Sequence, residues 1–270
     1  MNPKHEKQKL VNDARKQMVV QGNDFIRHAR NQMSAQELDI IYFWISKIKP
    51  TDIDIMRLTF TVTEFCEMCG IDTKSGKNYR DVKAAVKSIS DKSAWVENKK
   101  GVETLVRWVD TAIIEHDSGA MTVVLSQSLK PFLIQLIDQG NYTQAEIINF
   151  LALRSRYSKR LYEILKSYQK KGYGITFKDF ELDELKKLLA AEKYVRYPDL
   201  RRKVLDIAVR EINEFTDSTI TFEVIKTGRK YTGLRFSIQR KQPMERFNSY
   251  AMAEKRLDEL EKENKEDISQ

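Results

Sequence analysis

Three groupings in this 270-residue sequence have residue types that could do chemistry. Cys66-Glu67-Met68-Cys69 has the spacing of half a zinc site. A structural zinc takes four ligands, and these are the only two cysteines in the chain. The three histidines, His5, His28 and His116, are scattered. A thioredoxin-like redox pair would need a βαβ context that the flanking pattern lacks, so both cysteines are read as buried helix residues. Gly70 to Lys77 superficially resembles a phosphate loop. It has five residues between its glycines rather than four, and Asn78 stands where Ser or Thr is needed. No Ser/His/Asp grouping stands out. The chain is therefore expected to be no enzyme, with no catalytic residue, metal site or cofactor.

The remaining chemistry is cationic. The 47 Lys and Arg against 39 Asp and Glu leave a net charge of +8, unevenly spread. Residues 1–145 carry 20 basic against 18 acidic side chains (+2), residues 146–240 carry 21 against 13 (+8), and residues 241–270 carry 6 against 8 (−2). An excess concentrated in one segment points to a surface for a polyanion. No run reaches the roughly 18 apolar residues of a membrane span. The start leads into no apolar leader-like segment, and two neighbouring cysteines suit a reducing compartment, so a cytoplasmic protein is expected.

The elements that must position those cations follow from periodicity. Residues 1–24 read as a flexible arm. Ser34 and Glu37 form a capping box before Leu38, Ile41, Tyr42, Ile45 and Ile48 at helical spacing. Residues 57–62 read as a strand, and Thr63 as the cap of a helix ending at Gly70. Tyr79 to Lys92 reads as a helix with Val82, Ala85, Val86 and Ile89 inward. Strand-like runs follow at Trp95-Val96-Glu97, Thr104 to Glu115 and Met121 to Leu125, with a turn at Asp117-Ser118-Gly119. After a boundary near residue 141, Thr143 is expected to cap a long helix reaching Tyr168. Then come a strand at Ile175-Thr176-Phe177, a helix from Glu181 to Ala190 and the basic, aromatic linker Lys193-Tyr194-Val195-Arg196. A helix opened by Tyr197-Pro198 buries Leu200, Val204, Ile207, Ala208, Ile212 and Phe215. Two strands, 219–225 and 231–238, are joined by Lys226-Thr227-Gly228-Arg229-Lys230. The charged tail, 241–270, reads as a marginal surface helix or as disordered, and as dispensable for site recognition.

The two halves repeat each other. Thr59-Phe60 lies against Thr176-Phe177, and Asn78 to Ile89 lies against Arg196 to Ile207 at an offset of 118 (196 − 78), with Tyr, Asp, Val and Ile identical in place. Such agreement on the same element of two matching strings indicates a structural duplication. Helix, strand, helix, helix, hairpin is the order of a winged helix, so the expected fold is α+β: two tandem winged-helix domains related by an internal repeat, at 25–141 and 142–240. The third helix of each would enter a major groove, roughly 12 Å wide, and the hairpin would lie on phosphates. With the apolar stripes inward, Arg201 and Arg202 face outward in the second half, together with Asp206. Arg80, Lys83 and Lys87 face outward in the first. Lys226, Arg229 and Lys230 make the second wing basic, whereas Glu97, Glu103 and Asp110 leave the first less so.

Ser155-Arg156-Tyr157-Ser158-Lys159-Arg160-Leu161-Tyr162-Glu163-Ile164-Leu165-Lys166 resembles the signature helix of replication initiator (Rep) proteins of iteron-containing theta plasmids. The resemblance continues through Tyr194, Arg201 to Leu205, Glu211 to Asp217 and Lys226 to Lys230. In the first half it rests on element order with Leu38, Tyr42, Trp95 and Trp108, and it covers roughly residues 25–240. It implies two winged-helix domains gripping one directly repeated origin site. It also implies a monomer that bends and opens the origin, and a dimer, joined through the first domain, that represses its own gene. The implied host partners are the chromosomal initiator and the replicative helicase with its loader. By position, the second domain does the main base reading through Tyr197, Arg201 and Arg202, with Lys203 flanking. Tyr157, Ser158 and Lys159 would reach phosphate, and Lys74, Ser75, Lys77, Asn78 and Arg80 would sit at the amino end of the first-domain helix, where backbone amides favour phosphate. The rolling-circle alternative needs a His pair beside a tyrosine nucleophile, and the sequence contains no His-x-His. The nearest rival is a winged-helix transcriptional regulator bound to an inverted repeat. A ligand-sensing or interaction module would instead bind DNA weakly, with little dependence on sequence.

Overall fold

The computed structural model describes residues 3–30, 32–49, 52, 57–71, 76–99, 101–115, 117–136 and 140–266. The first half begins with α1 (Pro3–Ala14), β1 (Met18–Gly22) and α2 (Asn23–His28). This is not the flexible arm expected over 1–24. β1 buries Val19 and Val20, and Arg15 just before it is 1% exposed. The helix α3 (Ala35–Ser46) starts at the expected capping box: Ser34 Oγ accepts from the Glu37 amide, and Glu37 accepts from the Ser34 amide at 2.6 Å. More than one stripe of α3 is buried, since Phe43 and Trp44 are as enclosed as Ile41 and Tyr42. A helix apolar all round is one with partners on every side, and α3 lies between its own domain core and the second half of the chain.

Next come β2 (Arg57–Thr61), α4 (Val62–Cys69) and α5 (Gly76–Ser90). The α4 cap is Thr61 rather than Thr63, with the Thr61 hydroxyl accepting from the Glu64 amide at 3.0 Å. Gly70 ends α4 in the left-handed conformation, φ 69°, which glycine adopts without a Cβ penalty. Cys66 and Cys69 are buried on α4, and burial pushes the Cys69 thiol well above its ordinary range. The expected run from Thr104 to Glu115 is broken at buried Trp108. It divides into β4 (Val102–Arg107), paired with β3 (Ser93–Lys99), and β5 (Val109–Glu115), paired with β6 (Ala120–Leu125). A short helix, α6 (Lys130–Leu133), follows.

The second half opens with a strand, not the long helix expected from Thr143. β7 (Tyr142–Glu146) pairs antiparallel with β1, Met18 opposite Glu146 and Gly22 opposite Tyr142. Helical spacing in 143–151 yields to a partner strand more than a hundred residues away. Then come α7 (Ile148–Leu151), α8 (Arg156–Tyr168), β8 (Thr176–Glu181) and α9 (Leu182–Leu188). The helix predicted from Tyr197 runs as α10 (Tyr197–Leu200), a π-helical turn (Arg201–Leu205) and α11 (Asp206–Phe215), ahead of the hairpin β9 (Ser218–Thr227) and β10 (Lys230–Arg240). The two three-stranded sheets have one topology: β2-β6-β5 in the first half and β8-β10-β9 in the second. These are two winged-helix domains in tandem, and β1 with β7, the corresponding opening strands, joins them. The charged tail folds as α12 (Pro243–Glu266) and buries Ala253 and Leu257 completely, so it belongs to the core rather than to a solvated surface. Among the described residues, no helix is long and apolar enough to cross a membrane.

Candidate nucleic-acid interface

The second candidate reading head is built on the α10–α11 helix. Leu200, Val204, Leu205, Ala208 and Ile212 are its buried side. Ile207, expected in that stripe, is only half-buried, and Leu205 takes its place. The change falls at the π-helical turn, whose i→i+5 hydrogen bonding lengthens one turn by a residue and brings Leu205 to the buried side, while Ala208, Ile212 and Phe215 stay inward as expected. The turn also stacks Arg201 over Asp206, five residues on, with Nε 3.4 Å from Oδ1. Arg201, Arg202 and Lys203 all point to solvent from this turn. Asp199 sits among them, accepting from Arg196 at 2.9 Å and lying 3.8 Å from Arg202. Lys193, Tyr194, Val195 and Arg196 line an open cleft with Asp199 and Lys203 at the amino end of the helix. Lys193 and Arg196 were not among the site residues expected from sequence, although their basic, aromatic linker was visible there.

Tyr197 ties this helix to the wing. Its ring is buried and stacks on Tyr231 with centroids 4.3 Å apart, and Lys226 Nζ lies 4.8 Å above Tyr231. Burial raises the Tyr197 phenol above its usual range. Tyr197 thus offers an anchor rather than a free contact. Lys226, Arg229 and Lys230 are exposed around the hairpin tip, where Gly228 takes φ 61°. Exposed guanidinium groups on a helix beside a cationic wing suit bidentate contact with guanine and contact with phosphate, respectively.

The first candidate reading head repeats the layout with less charge. Lys77, Arg80, Lys83 and Lys87 are exposed along α5, and Asn78 is half-buried. Lys87 pairs with Asp91 at 2.8 Å. Lys74 and Ser75 lie outside the described residues. The corresponding wing, β5–β6, carries Glu115 and Asp117 beside its turn. The separate hairpin β3–β4 exposes Trp95 opposite Leu105.

On α8 the structure departs from the expected phosphate contacts. Ser158 is 0% exposed and Lys159 1%. Lys159 Nζ bonds Asp39 Oδ1 at 2.5 Å and the Phe150 carbonyl at 2.8 Å. Burial pushes the Asp39 carboxyl up to about 6 even with the Lys159 charge opposing it. Arg160 donates to the Ile26 and Ala29 carbonyls at 2.6 and 2.7 Å and to Glu163 at 2.5 Å, and Gln21 donates to Glu163 at 2.7 Å. Tyr157 is buried against Tyr194 and accepts from Arg156. The polar face of α8 therefore joins the two domains. A charged helix face in a sequence has the same pattern whether it meets water or another domain.

The family model described as "Initiator Replication protein, WH1" matches residues 18–166, and "Initiator Rep protein, WH2" matches residues 181–238. The chain is 30% identical over 149 residues to the PI protein of Escherichia coli, a match covering 49% of this chain and 47% of that protein. It thus spans about half the length of the curated relative it matches. In fold it is similar to the Pi initiator protein solved in complex with iteron DNA, with a TM-score of 0.70, 18% identity, and coverage of 84% of this chain and 99% of that one. With both domain models matched in order, and the first alone covering more than half of the sequence, the chain belongs to the plasmid replication initiator (Rep) family.

Proposed function

We propose that this chain is a sequence-specific DNA-binding initiator of plasmid replication that binds direct repeats at the origin. The observation that carries the reading is two reading heads of one topology but unequal charge in a single chain. Like heads facing an inverted repeat would be equivalent, whereas a strong and a weak head fit one asymmetric, directly repeated site. The iteron DNA bound by the Pi initiator supports the same class of target. The second head does the main base reading through Arg201 and Arg202, with Lys203 beside them and Lys226, Arg229 and Lys230 on phosphate. Lys77, Arg80, Lys83 and Lys87 make the secondary contact. Binding energy is spent in part on bending the site, on the order of 1–6 kcal/mol, which favours opening of adjacent A·T-rich DNA. A dimer formed through the first domain, where the β3–β4 hairpin exposes Trp95 and Leu105, represses the chain's own gene. The host initiator and the helicase with its loader are the partners of the opened origin. No chemical step is assigned to the chain.

The test is affinity for DNA flanking the chain's own gene against shuffled DNA, with footprinting, at about 0.15 M salt, because non-specific binding is strong at low salt. A preference of roughly 10³ or more on direct repeats is expected. Protection of an inverted repeat instead would make the chain a regulator, and no preference would refute sequence reading.

A further inference from the structure

We propose that α12 is a strap that fixes the angle between the two reading helices and so sets the spacing of the DNA the chain recognises; the DNA half of this rests on the proposed function. The helix lies beyond both matched family segments, which end at residue 238, and it is gripped by both domains. At its start, Lys241 donates to the Thr216 carbonyl at 2.9 Å and to Ser249 at 2.7 Å, fastening it to the end of α11. Further along, Arg256 pairs with Glu211 at 3.0 Å and lies 4.1 Å from the Phe215 ring, both residues of α11. Two residues later, Asp258 accepts from buried Arg15 at 3.1 Å, and Arg15 also donates to the Met68 carbonyl of α4 at 3.1 Å.

Leu257, between those two charged residues, is fully buried. Its carbonyl packs so closely on Gly70 that a Cβ there would sit 2.3 Å from the oxygen. Gly70 is where the chain leaves α4 towards α5, the first reading helix. One rigid element thus connects the second reading helix to the turn that precedes the first. Two heads held at a fixed angle bind a two-part site with the ordering already done, whereas heads on a loose joint must be ordered by the DNA itself.

The experiment uses the full chain with spin labels at Ser90→Cys and Glu223→Cys, both exposed and one in each domain, and reads the inter-label distance distribution. It is run with the native strap, with Asp258→Ala and with Leu257→Ala. Asp258 is itself about 43% exposed, and Arg15 keeps its bonds to the Met68 and Glu67 carbonyls, so Asp258→Ala reports even if Leu257→Ala unfolds. The expected result is one narrow distribution that broadens in the variants. The preference for the protected repeat over shuffled DNA should fall roughly tenfold, with affinity for shuffled DNA unchanged. An unchanged distribution in Asp258→Ala overturns the strap, whether or not Leu257→Ala folds. A broadened distribution with undiminished preference overturns its role in recognition. If the native chain prefers no repeat, the proposed function falls, while the distances still decide whether α12 holds the domains.

Discussion

Arg201→Ala separates reading from folding. The arginine side chain is about half exposed, and its ties within the protein are a 3.4 Å contact to Asp206 and a guanidinium 6.0 Å from the Phe222 ring. An exposed pair of this kind is worth roughly 0–1 kcal/mol, so the melting temperature should move by a few degrees at most. Loss of a bidentate base contact costs about 1–3 kcal/mol, equivalent to roughly 5- to 150-fold in affinity. Fluorescence anisotropy with the protected repeat and a shuffled duplex, at one fixed salt concentration, reads the difference. The loss should be confined to the repeat and should shrink when the contacted base pair is changed. Equal losses on both duplexes would place Arg201 on phosphate, and a large fall in melting temperature would make it structural. Either result refutes the assignment.

Replacing Arg229 and Lys230 together by Ala should weaken binding to specific and random DNA alike. It should also reduce the slope of log affinity against log salt by about 2, one per phosphate contact; an unaltered slope removes the wing from the interface. Lys159→Met should behave oppositely, destabilising the fold by about 1–3 kcal/mol in urea titrations because the partly buried Asp39 and the Phe150 carbonyl lose their donor, with random-DNA affinity of the folded protein unchanged. The pH dependence of folding should carry the mark of Asp39. Its carboxyl rises from an ordinary 3.8 to about 6 on folding, so the native state holds a proton more tightly. That contribution, on the order of 3 kcal/mol, is present below pH 4 and is lost as pH rises towards 6. Asp39→Asn should flatten that part of the stability–pH curve, and parallel curves for the two proteins would refute the linkage.

The helix and hairpin that carry each candidate reading head are legible because each combines a local signal with a repeated one. The Val82, Val86 and Ile89 stripe has its counterpart in the second half, and glycine at 228 between basic residues marks a wing tip without any tertiary information. What escaped the sequence depends on partners distant along the chain. Lys159, Arg160 and Glu163 have the composition of a solvated face, and only the arrival of Asp39, Ile26 and Gln21 turns them into a joint. Residues 142–146 have no strand signal strong enough to defeat helical spacing, and they become a strand because β1 supplies the other edge. The π-helical turn adds one residue to the helical period and buries Leu205 within it while Ile207 is left half-buried, a change invisible to a pattern that assumes 3.6 residues per turn. The packing of the tail is hidden for a related reason: its sequence is mostly charged, and the residues it buries completely are Ala253 and Leu257 among those described.

The pairing of β1 with β7 also governs how the chain must be made. The end of β1 and the start of β7 are 120 residues apart (142 − 22), which at about 5–20 residues per second is a wait of roughly 6–24 s on the ribosome. Throughout that interval the nascent first half presents Val19 and Val20 on an open strand edge, the kind of edge that recruits strands from other chains. Closing so long a loop is also slow once the partner emerges. A gene fragment ending near codon 141 would freeze the protein in this unfinished state, so expression yield should rise sharply once the fragment extends past residue 146.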